Sequence, residues 1–353
     1  MEIALKQQEQ RPGNVIPLCP VFKECGGCLY QNIGYPDELA VKEERLKGLF
    51  RKSFDLDRQI FTPIVPSPKP YHYRNRLDLK LKRTKANDVF IGFSPVDKKG
   101  VIPVDACFIA DQNISDFIPE LKRQAIARLP LKYKNANLTV RSGQNGKVFW
   151  GGIGRRSCQL PASDYFWTDI GGTRIFYSLD TFFQANSSIL PMLLEVINRL
   201  AVLSPTATFF DLYSGVGLFG IMLAGKVKQA VMIEDNIASL KAARHNLQHN
   251  KINNVEVIEG KVEDHLTEQL KRNKDGTTVA MIDPPRAGLS QKARQLLSQA
   301  RGLKHILYLS CDPDSLVRDL TDFTQQGWEI KNVIPFDFFP KTRHIETLVL
   351  LKS

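Results

Sequence analysis

The stretch YLSCDPDSL, residues 308–316, places a cysteine where a short apolar segment ends. Residues 306–309 have the composition of a buried strand, and Cys311 follows one residue after it. A thiolate is a strong nucleophile, so a cysteine at the end of a buried strand could form a covalent bond to a substrate. The neighbouring carboxylates would raise the pKa of this thiol, so that chemistry needs a compensating donor or the substrate itself. Taken alone, Cys311 could also be a small buried residue without a catalytic role.

A carboxylate near the C-terminus could complete such a reaction. The chain turns back after Phe336 into a last apolar strand, and Glu346 lies near the start of that strand. If the strand is antiparallel to its neighbours, Glu346 reaches the same sheet edge as Cys311. Beside a methyl donor, for which the glycine-rich turn described next offers a site, such a pair suits methylation of a uracil ring. A thiolate that adds to carbon 6 makes carbon 5 nucleophilic towards the methyl group, and a base must then remove the carbon 5 proton. We therefore predict Cys311 as the nucleophile and Glu346 as the base.

A glycine-rich turn offers a site for a nucleotide-like cofactor. Gly215, Gly217 and Gly220 spell G-x-G-x-x-G, and Glu234 follows at the distance where an acid binds ribose hydroxyls. Asp211 stands just before this turn, where it would be poorly placed against a pyrophosphate. A carboxylate there suits the positive charges of S-adenosylmethionine (SAM), so the loop favours SAM over NAD. An oxidoreductase that binds a dinucleotide is the alternative, and so is a packing turn without a ligand.

The segment DPPRAGL, residues 283–289, fixes a further acid at a strand end. Asp283 follows an apolar strand, and two prolines make the turn after it rigid. The Asp283 carboxylate could contact a base edge or the cofactor. Arg286 could pair with a phosphate or hold Asp283 in place. Pro-Pro turns also occur as structure alone.

Three of the six cysteines cluster near the start with the spacing C-x5-C-x2-C, namely Cys19, Cys25 and Cys28. Thiolates this close can share one metal centre, and Cys107 is the best candidate for a fourth ligand by elimination. Four thiolates without a nearby histidine suit an iron–sulfur cluster or an all-cysteine zinc site, and we favour the cluster. Cys158 has no such partners and is interpreted as an unliganded thiol.

The elements that must position these residues follow from the hydrophobic pattern. Residues 36–53 show helical periodicity, and short alternating strands follow from about 60 to 180. From about residue 181, apolar strands alternate with helices, which predicts an α/β fold with a doubly wound, mostly parallel sheet and an antiparallel last strand. Ligands bind such sheets at the carboxyl ends of the strands, where the candidate acids and Cys311 lie.

This pattern predicts three domains. Residues 1–60 form an iron–sulfur segment and a linker helix, and residues 61–180 form a sheet-rich central RNA-binding domain that also supplies Cys107. Residues 181–353 form a Rossmann-like methyltransferase domain. In the central domain, one strand alternates between leucines and a mostly basic face, which consists of Arg76, Asp78, Lys80 and Lys82. This face could bind a phosphate backbone or could simply be solvated.

Composition bounds the class of protein. The chain has 353 residues, of which 43% are hydrophobic and 24% charged, and its formal net charge is +11. These values are typical of a globular protein with a polyanionic partner such as RNA, although a basic protein without a nucleic-acid role is the alternative. The polar N-terminus has no signal-peptide core, and the apolar stretches are too short to span a bilayer. We expect a cytoplasmic protein that neither enters a membrane nor needs an obligate protein partner.

The motifs CGGC, DLYSGVGLFG, DPPRAGL, YLSCDP and FDFFPKTRHIETL together resemble the RNA uracil-5 methyltransferase family, which includes tRNA (uracil-54) and 23S ribosomal RNA enzymes. The resemblance implies a class I SAM-dependent fold and the formation of 5-methyluridine, with Cys311 as nucleophile and Glu346 as base. It implies SAM contacts at Gln184, Tyr213, Glu234 and Asp283. It also implies a [4Fe-4S] cluster on Cys19, Cys25, Cys28 and Cys107.

The sequence departs from the family pattern at three places. Only 18 residues precede Cys19, so we expect no N-terminal TRAM barrel. Leu218 stands where several members have asparagine, which puts one polar SAM contact in doubt. Lys341 stands where glutamine or histidine is usual, and we expect it to contact phosphate. The cluster favours 23S ribosomal RNA as the target, uridine 54 of tRNA stays open, and a non-catalytic RNA-binding protein is a third class of function.

Overall fold

The computed structural model describes residues 14–96, 100–132, 134–152, 162–273 and 277–353, apart from the side chain of Arg58. Nowhere in these ranges does a helix combine the length and apolar character needed to cross a membrane. The α-helices, in chain order, are α1 (Tyr35–Ser53), α2 (Gln112–Arg128), α3 (Leu190–Leu200), α4 (Leu218–Leu223), α5 (Ile237–His249), α6 (Val262–Arg272), α7 (Gln291–Ser298) and α8 (Pro313–Gln325). The strands are β1 (Arg76–Arg83), β2 (Val89–Phe93), β3 (Ile102–Pro103), β4 (Asn135–Ser142), β5 (Val148–Gly152), β6 (Phe166–Ile170), β7 (Thr173–Tyr177), β8 (Thr208–Leu212), β9 (Gln229–Glu234), β10 (Val255–Glu259), β11 (Thr278–Ile282), β12 (His305–Ser310), β13 (Glu329–Phe336) and β14 (Glu346–Lys352).

A seven-stranded sheet organises the C-terminal half, with the strand order β10-β9-β8-β11-β12-β14-β13. The first five strands in this order are parallel, whereas β14 runs antiparallel to both β12 and β13. Every residue of β8 and of β11 is buried, as expected of strands covered on both faces. The predicted Rossmann-like fold, including its antiparallel last strand, is confirmed.

Successive residues of the central strands enter two separate hydrophobic cores. Phe209 packs in a core with residues of α3 and α4, whereas Phe210 packs in a core with residues of α6, α7 and α8. Leu46 and Phe50 of α1 also belong to the second core. The N-terminal helix therefore packs against the large sheet, which places its residues beside the connection that leads into β14.

The central region contains an antiparallel five-stranded sheet with the order β3-β2-β1-β4-β5. The leucines of β1 are buried in alternation with the basic face, as predicted. They pack against α2, a helix that the sequence analysis missed because it expected only short strands here. The apolar residues of α2 recur at helical spacing, but Pro119 interrupts the pattern in the middle of the helix.

Candidate active site

The two residues predicted for catalysis meet at the carboxyl edge of the large sheet. Ser310, the last residue of β12, pairs with Thr347 of β14, so the next step of the same antiparallel register brings Cys311 opposite Glu346. Cys311 is partly buried, and Glu346 is only 4% exposed. The structure brings these residues together because β14 runs antiparallel to β12.

The charges at this edge act on one another. Burial raises the pKa of the Cys311 thiol to about 12, and the charge of Glu346 adds to this rise while Arg286 opposes it. Burial also raises the pKa of Glu346 well above its usual value, with a further rise from Asp283 and an opposing effect of Arg286. Oε2 of Glu346 is buried and has no hydrogen-bond partner within the described part of the chain. This oxygen can therefore accept a proton from a group that enters the site.

A small cavity next to this edge is lined by most of the residues predicted to contact SAM. Tyr213 and Leu218 line it from the turn after β8, and Gln184 and Asp283 line it from the other side. Nε2 of Gln184 donates a hydrogen bond of 2.8 Å to Oδ2 of Asp283. Burial raises the pKa of Asp283, and this hydrogen bond opposes the rise. Leu218 makes that part of the cavity wall apolar.

The glycine-rich turn is tied to the fourth predicted contact, Glu234, at the end of β9. The Gly215 N–H donates to Oε2 of Glu234 at 2.8 Å. Gly217 has a φ of +87°, and a Cβ on Gly220 would lie 2.7 Å from Sδ of Met232. A side chain at Gly220 would therefore clash and one at Gly217 would be strained, which explains the glycines physically. Glu234 does not line the cavity itself but is hydrogen-bonded to Gly215, which does.

Asp211 lies beneath this turn and is fully buried. Its Oδ2 accepts the Gly220 N–H at 2.7 Å, and burial raises the pKa of the carboxyl to about 8. The observed contact anchors α4. The idea that the charge of Asp211 favours a cationic cofactor stays a prediction.

Two buried residues that the sequence analysis missed hold the segment that contains Gln184. Nη1 of Arg141 donates to the carbonyl oxygens of Ser178 at 2.6 Å and of Thr181 at 2.7 Å. Nδ2 of Asn75 donates to the carbonyl oxygen of Gln184 at 2.9 Å. The sequence offers no signal for these roles, because an arginine or asparagine near a strand usually faces solvent.

The four cysteines predicted as ligands line one cavity of about 180 Å³. Burial raises the pKa of Cys28 to about 12 and that of Cys107 to about 11, and the charges of neighbouring thiolates add to both rises. Thiols in such a setting become thiolates when a positively charged centre binds them. Among the described residues, no three His, Cys, Asp or Glu side chains are arranged around a site for a single metal ion. Cys158 lies outside the described residues.

Lys341 is buried, so the expectation that it contacts phosphate is wrong. Its side chain is 4% exposed, and its Nζ lies 3.1 Å from Oε2 of Glu38. The same ammonium group lies over the rings of Tyr35 and Tyr71, at 5.3 and 5.5 Å from their centroids. The positive charge of Lys341 is therefore neutralised within the protein.

Comparison with known proteins identifies the family. The sequence model of the family described as tRNA (Uracil-5-)-methyltransferase matches residues 167–353, which is more than half of the chain. The chain belongs to this family, and the predictions of the RNA uracil-5 methyltransferase family and of an RNA methyltransferase are confirmed. Family membership favours neither a dinucleotide-dependent oxidoreductase nor a non-catalytic RNA-binding protein.

Similar proteins match along nearly the whole chain. An uncharacterized RNA methyltransferase of Thermosynechococcus vestitus is 28% identical over 386 residues, which cover 96% of this chain and 84% of that protein. One from Clostridium tetani is 27% identical over 395 residues, covering 98% and 85%. The crystal structure of Pyrococcus abyssi tRNA (uracil-54, C5)-methyltransferase in complex with S-adenosyl-L-homocysteine has the same fold, with a TM-score of 0.73, 23% identity and coverage of 94% and 86%.

Proposed function

We propose that this protein transfers the methyl group of SAM to carbon 5 of a uridine in 23S ribosomal RNA through a covalent intermediate. The observation on which this rests is the placement of Cys311 opposite Glu346, beside the cavity bordered by Gln184 and Asp283. A nucleophile and a base on either side of one pyrimidine ring suit the two halves of the reaction.

The proposed reaction has two halves, methyl transfer and release of the enzyme. The Cys311 thiolate adds to carbon 6 of the uracil, and the resulting enolate attacks the methyl group through carbon 5, releasing S-adenosylhomocysteine. Glu346 then takes the proton from carbon 5, the carbon–sulfur bond breaks and the 5,6 double bond returns. Arg286 lowers the pKa of Cys311 and so favours the thiolate that begins the sequence.

SAM is proposed to occupy the cavity beside the glycine-rich turn. Gln184, Tyr213 and Asp283 line this cavity, and Glu234 lies at the strand end where ribose hydroxyls bind in such folds. The fold neighbour from Pyrococcus abyssi holds the demethylated product of SAM, which supports the same ligand here. Leu218 would give an apolar contact in this pocket.

An exposed aromatic ring lies at the cofactor cavity. Phe182 is 64% exposed although it lines the cofactor cavity, two residues before Gln184. A uridine must leave its stack to reach a buried thiol, and a flipped base gains stability by stacking on an aromatic side chain. Phe182 is therefore the proposed stacking partner.

The exposed face of the five-stranded sheet is the proposed path for the rest of the RNA. Lys80 and Lys82 of β1 and Asn135 and Asn137 of β4 line a groove of about 400 Å³. The register places Lys82 beside Phe90 of β2, whose ring is 39% exposed. Cations for phosphates, amides for base edges and an aromatic for stacking together match single-stranded RNA.

One end of this face lies beside the segment that leads to Gln184. Nη1 of Arg76, the first residue of β1, donates to the carbonyl oxygen of Leu179 at 3.2 Å, in the segment that leads to Gln184. From there β1 runs outward to Lys82, about 20 Å along an extended strand. RNA that entered the catalytic edge could follow this strand.

We also propose that Cys19, Cys25, Cys28 and Cys107 bind a [4Fe-4S] cluster. The four thiols line one cavity. A donor set of four cysteines suits a cluster, in which each thiolate takes its own iron. In protein purified without oxygen, iron, sulfide and visible absorbance should disappear in Cys28→Ser and remain in Cys158→Ser. One zinc per chain, without iron, would contradict this assignment.

The activity test uses SAM with a labelled methyl group and unmodified 23S ribosomal RNA and tRNA in separate reactions. We expect labelled 5-methyluridine in 23S ribosomal RNA, none with Cys311→Ala, and unchanged RNA binding by that variant. The family description and the fold neighbour favour tRNA as the second candidate, and label in tRNA alone would establish it. A Cys311→Ala protein that still methylates would remove the covalent step. Cytoplasmic location stays a prediction.

A further inference from the structure

Four charged side chains are buried together between α1 and the connection from β13 to β14, residues 337–345. Glu38 and Lys42 come from α1, and Asp337 and Lys341 come from the connection; their exposed fractions are 0%, 2%, 0% and 3%. Nζ of Lys42 donates to Oε1 of Glu38 and to Oδ1 of Asp337, both at 2.8 Å. With the ion pair between Lys341 and Glu38, two cations balance two anions, as burial of charge requires.

The backbone of this connection is also held from outside. Its carbonyl oxygens accept hydrogen bonds of 2.8 to 3.2 Å from donors in several other segments of the chain. These bonds run from Asn186 Nδ2 to Phe338, from Lys42 Nζ to Phe339, from Tyr73 Oη to Pro340, from Leu29 N and Tyr30 N to Lys341, and from Arg45 Nη1 to Arg343. The connection therefore has little freedom to move relative to α1.

Lys341 makes several of these contacts at once. Its N–H donates to Oε1 of Glu38 at 2.6 Å, and its carbonyl oxygen accepts from the amides of Leu29 and Tyr30 at 2.8 and 3.0 Å. Its φ is +67°, which is unfavourable for a residue with a Cβ. Such a conformation persists only where the surroundings fix it. Leu29 directly follows Cys28, so the N-terminal cysteine segment takes part in fixing it.

We propose that Lys341 is a positioning residue for the base Glu346. The N-terminal segment and α1, acting through Glu38, fix the connection and thereby fix where β14 starts beside Cys311. This inference rests on the proposed function. Lys341 does not touch the reacting atoms; its effect falls on the last step, in which Glu346 removes the carbon 5 proton and releases the enzyme.

The test replaces Lys341 by methionine, which keeps the length of the side chain and removes its charge. A misplacement of about 1 Å at a catalytic group can cost about 100-fold, so we expect kcat to fall about 10- to 100-fold. Because the slowed step follows methyl transfer, KM for RNA should fall together with kcat, while kcat/KM and the affinity for SAM should stay as in the wild type. The discriminating measurement is the fraction of protein covalently bound to RNA on a denaturing gel, which should rise because release is slowed.

Lys331→Met is the matched control, because Lys331 is an exposed lysine on β13 that pairs with Glu329. It should leave kcat and the adduct fraction unchanged. Lys341→Met leaves the buried Glu38 carboxylate without one of its cations and could lose stability for that reason. A second variant, Glu38→Leu with Lys341→Met, removes one anion and one cation together and so separates stability from positioning. Apolar replacement of a buried pair is often neutral for stability. We expect this double variant to melt close to the wild type. It should still accumulate the adduct, because the backbone N–H of residue 341 has lost its acceptor, the Glu38 carboxylate.

The outcomes separate the two proposals. The positioning role is overturned if the adduct fraction stays at the wild-type level in both variants and kcat falls only in proportion to the folded fraction. The proposed function is unaffected by that result. A wild-type protein that binds RNA and SAM but forms no 5-methyluridine overturns the proposed function, and the role of Lys341 with it. Adduct accumulation in the double variant but not in Lys331→Met supports the inference.

Discussion

Cys311 and Glu346 lie opposite each other at the end of the β12–β14 pair, one step beyond Ser310 and Thr347. Opposed residues of an antiparallel pair have Cβ atoms about 5 Å apart, so one pyrimidine ring can contact both side chains. Of the neighbouring charges, that of Glu346 raises the pKa of Cys311 most strongly. The proposed nucleophile and the proposed base are therefore coupled before any substrate binds.

This coupling predicts a pH effect of defined sign on the reactivity of Cys311. Its raised pKa means that alkylation by iodoacetamide should accelerate about tenfold per pH unit across the neutral and alkaline range, since the thiolate reacts. Glu346→Gln removes a negative charge, lowers the pKa of Cys311 and should speed alkylation at pH values above the raised pKa of Glu346. Arg286→Gln should slow it. Quantitative mass spectrometry of the Cys311 peptide measures the alkylation rate of each variant. If both substitutions changed this rate in the same direction, the electrostatic account would be contradicted.

The role of Glu346 predicts a trapped intermediate. Glu346→Gln leaves Cys311 free to add to carbon 6 and carbon 5 free to take the methyl group, but it removes the acceptor for the carbon 5 proton. We expect turnover to fall at least about 100-fold and a protein–RNA species to migrate slowly on a denaturing gel. Glu329→Gln, at an exposed site on β13, is the control and should turn over normally. Normal turnover by Glu346→Gln would assign the base elsewhere.

The SAM site predicts different effects for two glutamates at adjacent strand ends. Glu234 and Glu259 are partners in the register of β9 and β10, but only Glu234 accepts the Gly215 N–H. Glu234→Ala should weaken SAM binding about 10- to 100-fold, because hydrogen bonds to a charged group contribute about 1.5–3 kcal/mol. Glu259→Ala should leave it unchanged. Calorimetry measures the affinity of each variant for SAM, with NAD as the negative control ligand. Equal effects of the two substitutions would mean that Glu234 does not bind the ribose.

The proposed RNA path predicts a change in salt dependence. Each lysine that contacts a phosphate of single-stranded RNA adds about 0.7 to the slope of log affinity against log salt concentration. Lys80→Ala with Lys82→Ala should therefore reduce the slope by about 1.4 and weaken binding at low salt. Lys304→Ala with Lys331→Ala is the control pair, because Lys304, just before β12, and Lys331, on β13, are both exposed. Equal slopes for both double variants would place the RNA on another surface.

Much of the site could be predicted because its residues stand at the ends of elements with strong local patterns. Apolar strands and a glycine-rich turn indicate their own conformation over a few residues, and parallel strands bring their carboxyl ends to one edge. Cys311, Asp283 and Glu234 could therefore be assigned to a common cleft. The helix α2 was missed because Pro119 obscured its periodicity, while packing against the leucines of β1 stabilises it.

The sequence by itself determined which candidate residues lie at the sheet edge, the antiparallel return of β14 and the four cysteines as a possible ligand set. Only the tertiary structure decided which polar residues are buried and what they hold. Lys341 and Arg141 look like surface cations in sequence, yet both are buried and bind groups far away along the chain. The free energy of a buried charge depends on its partners, and partners brought together by folding leave no local pattern in the sequence.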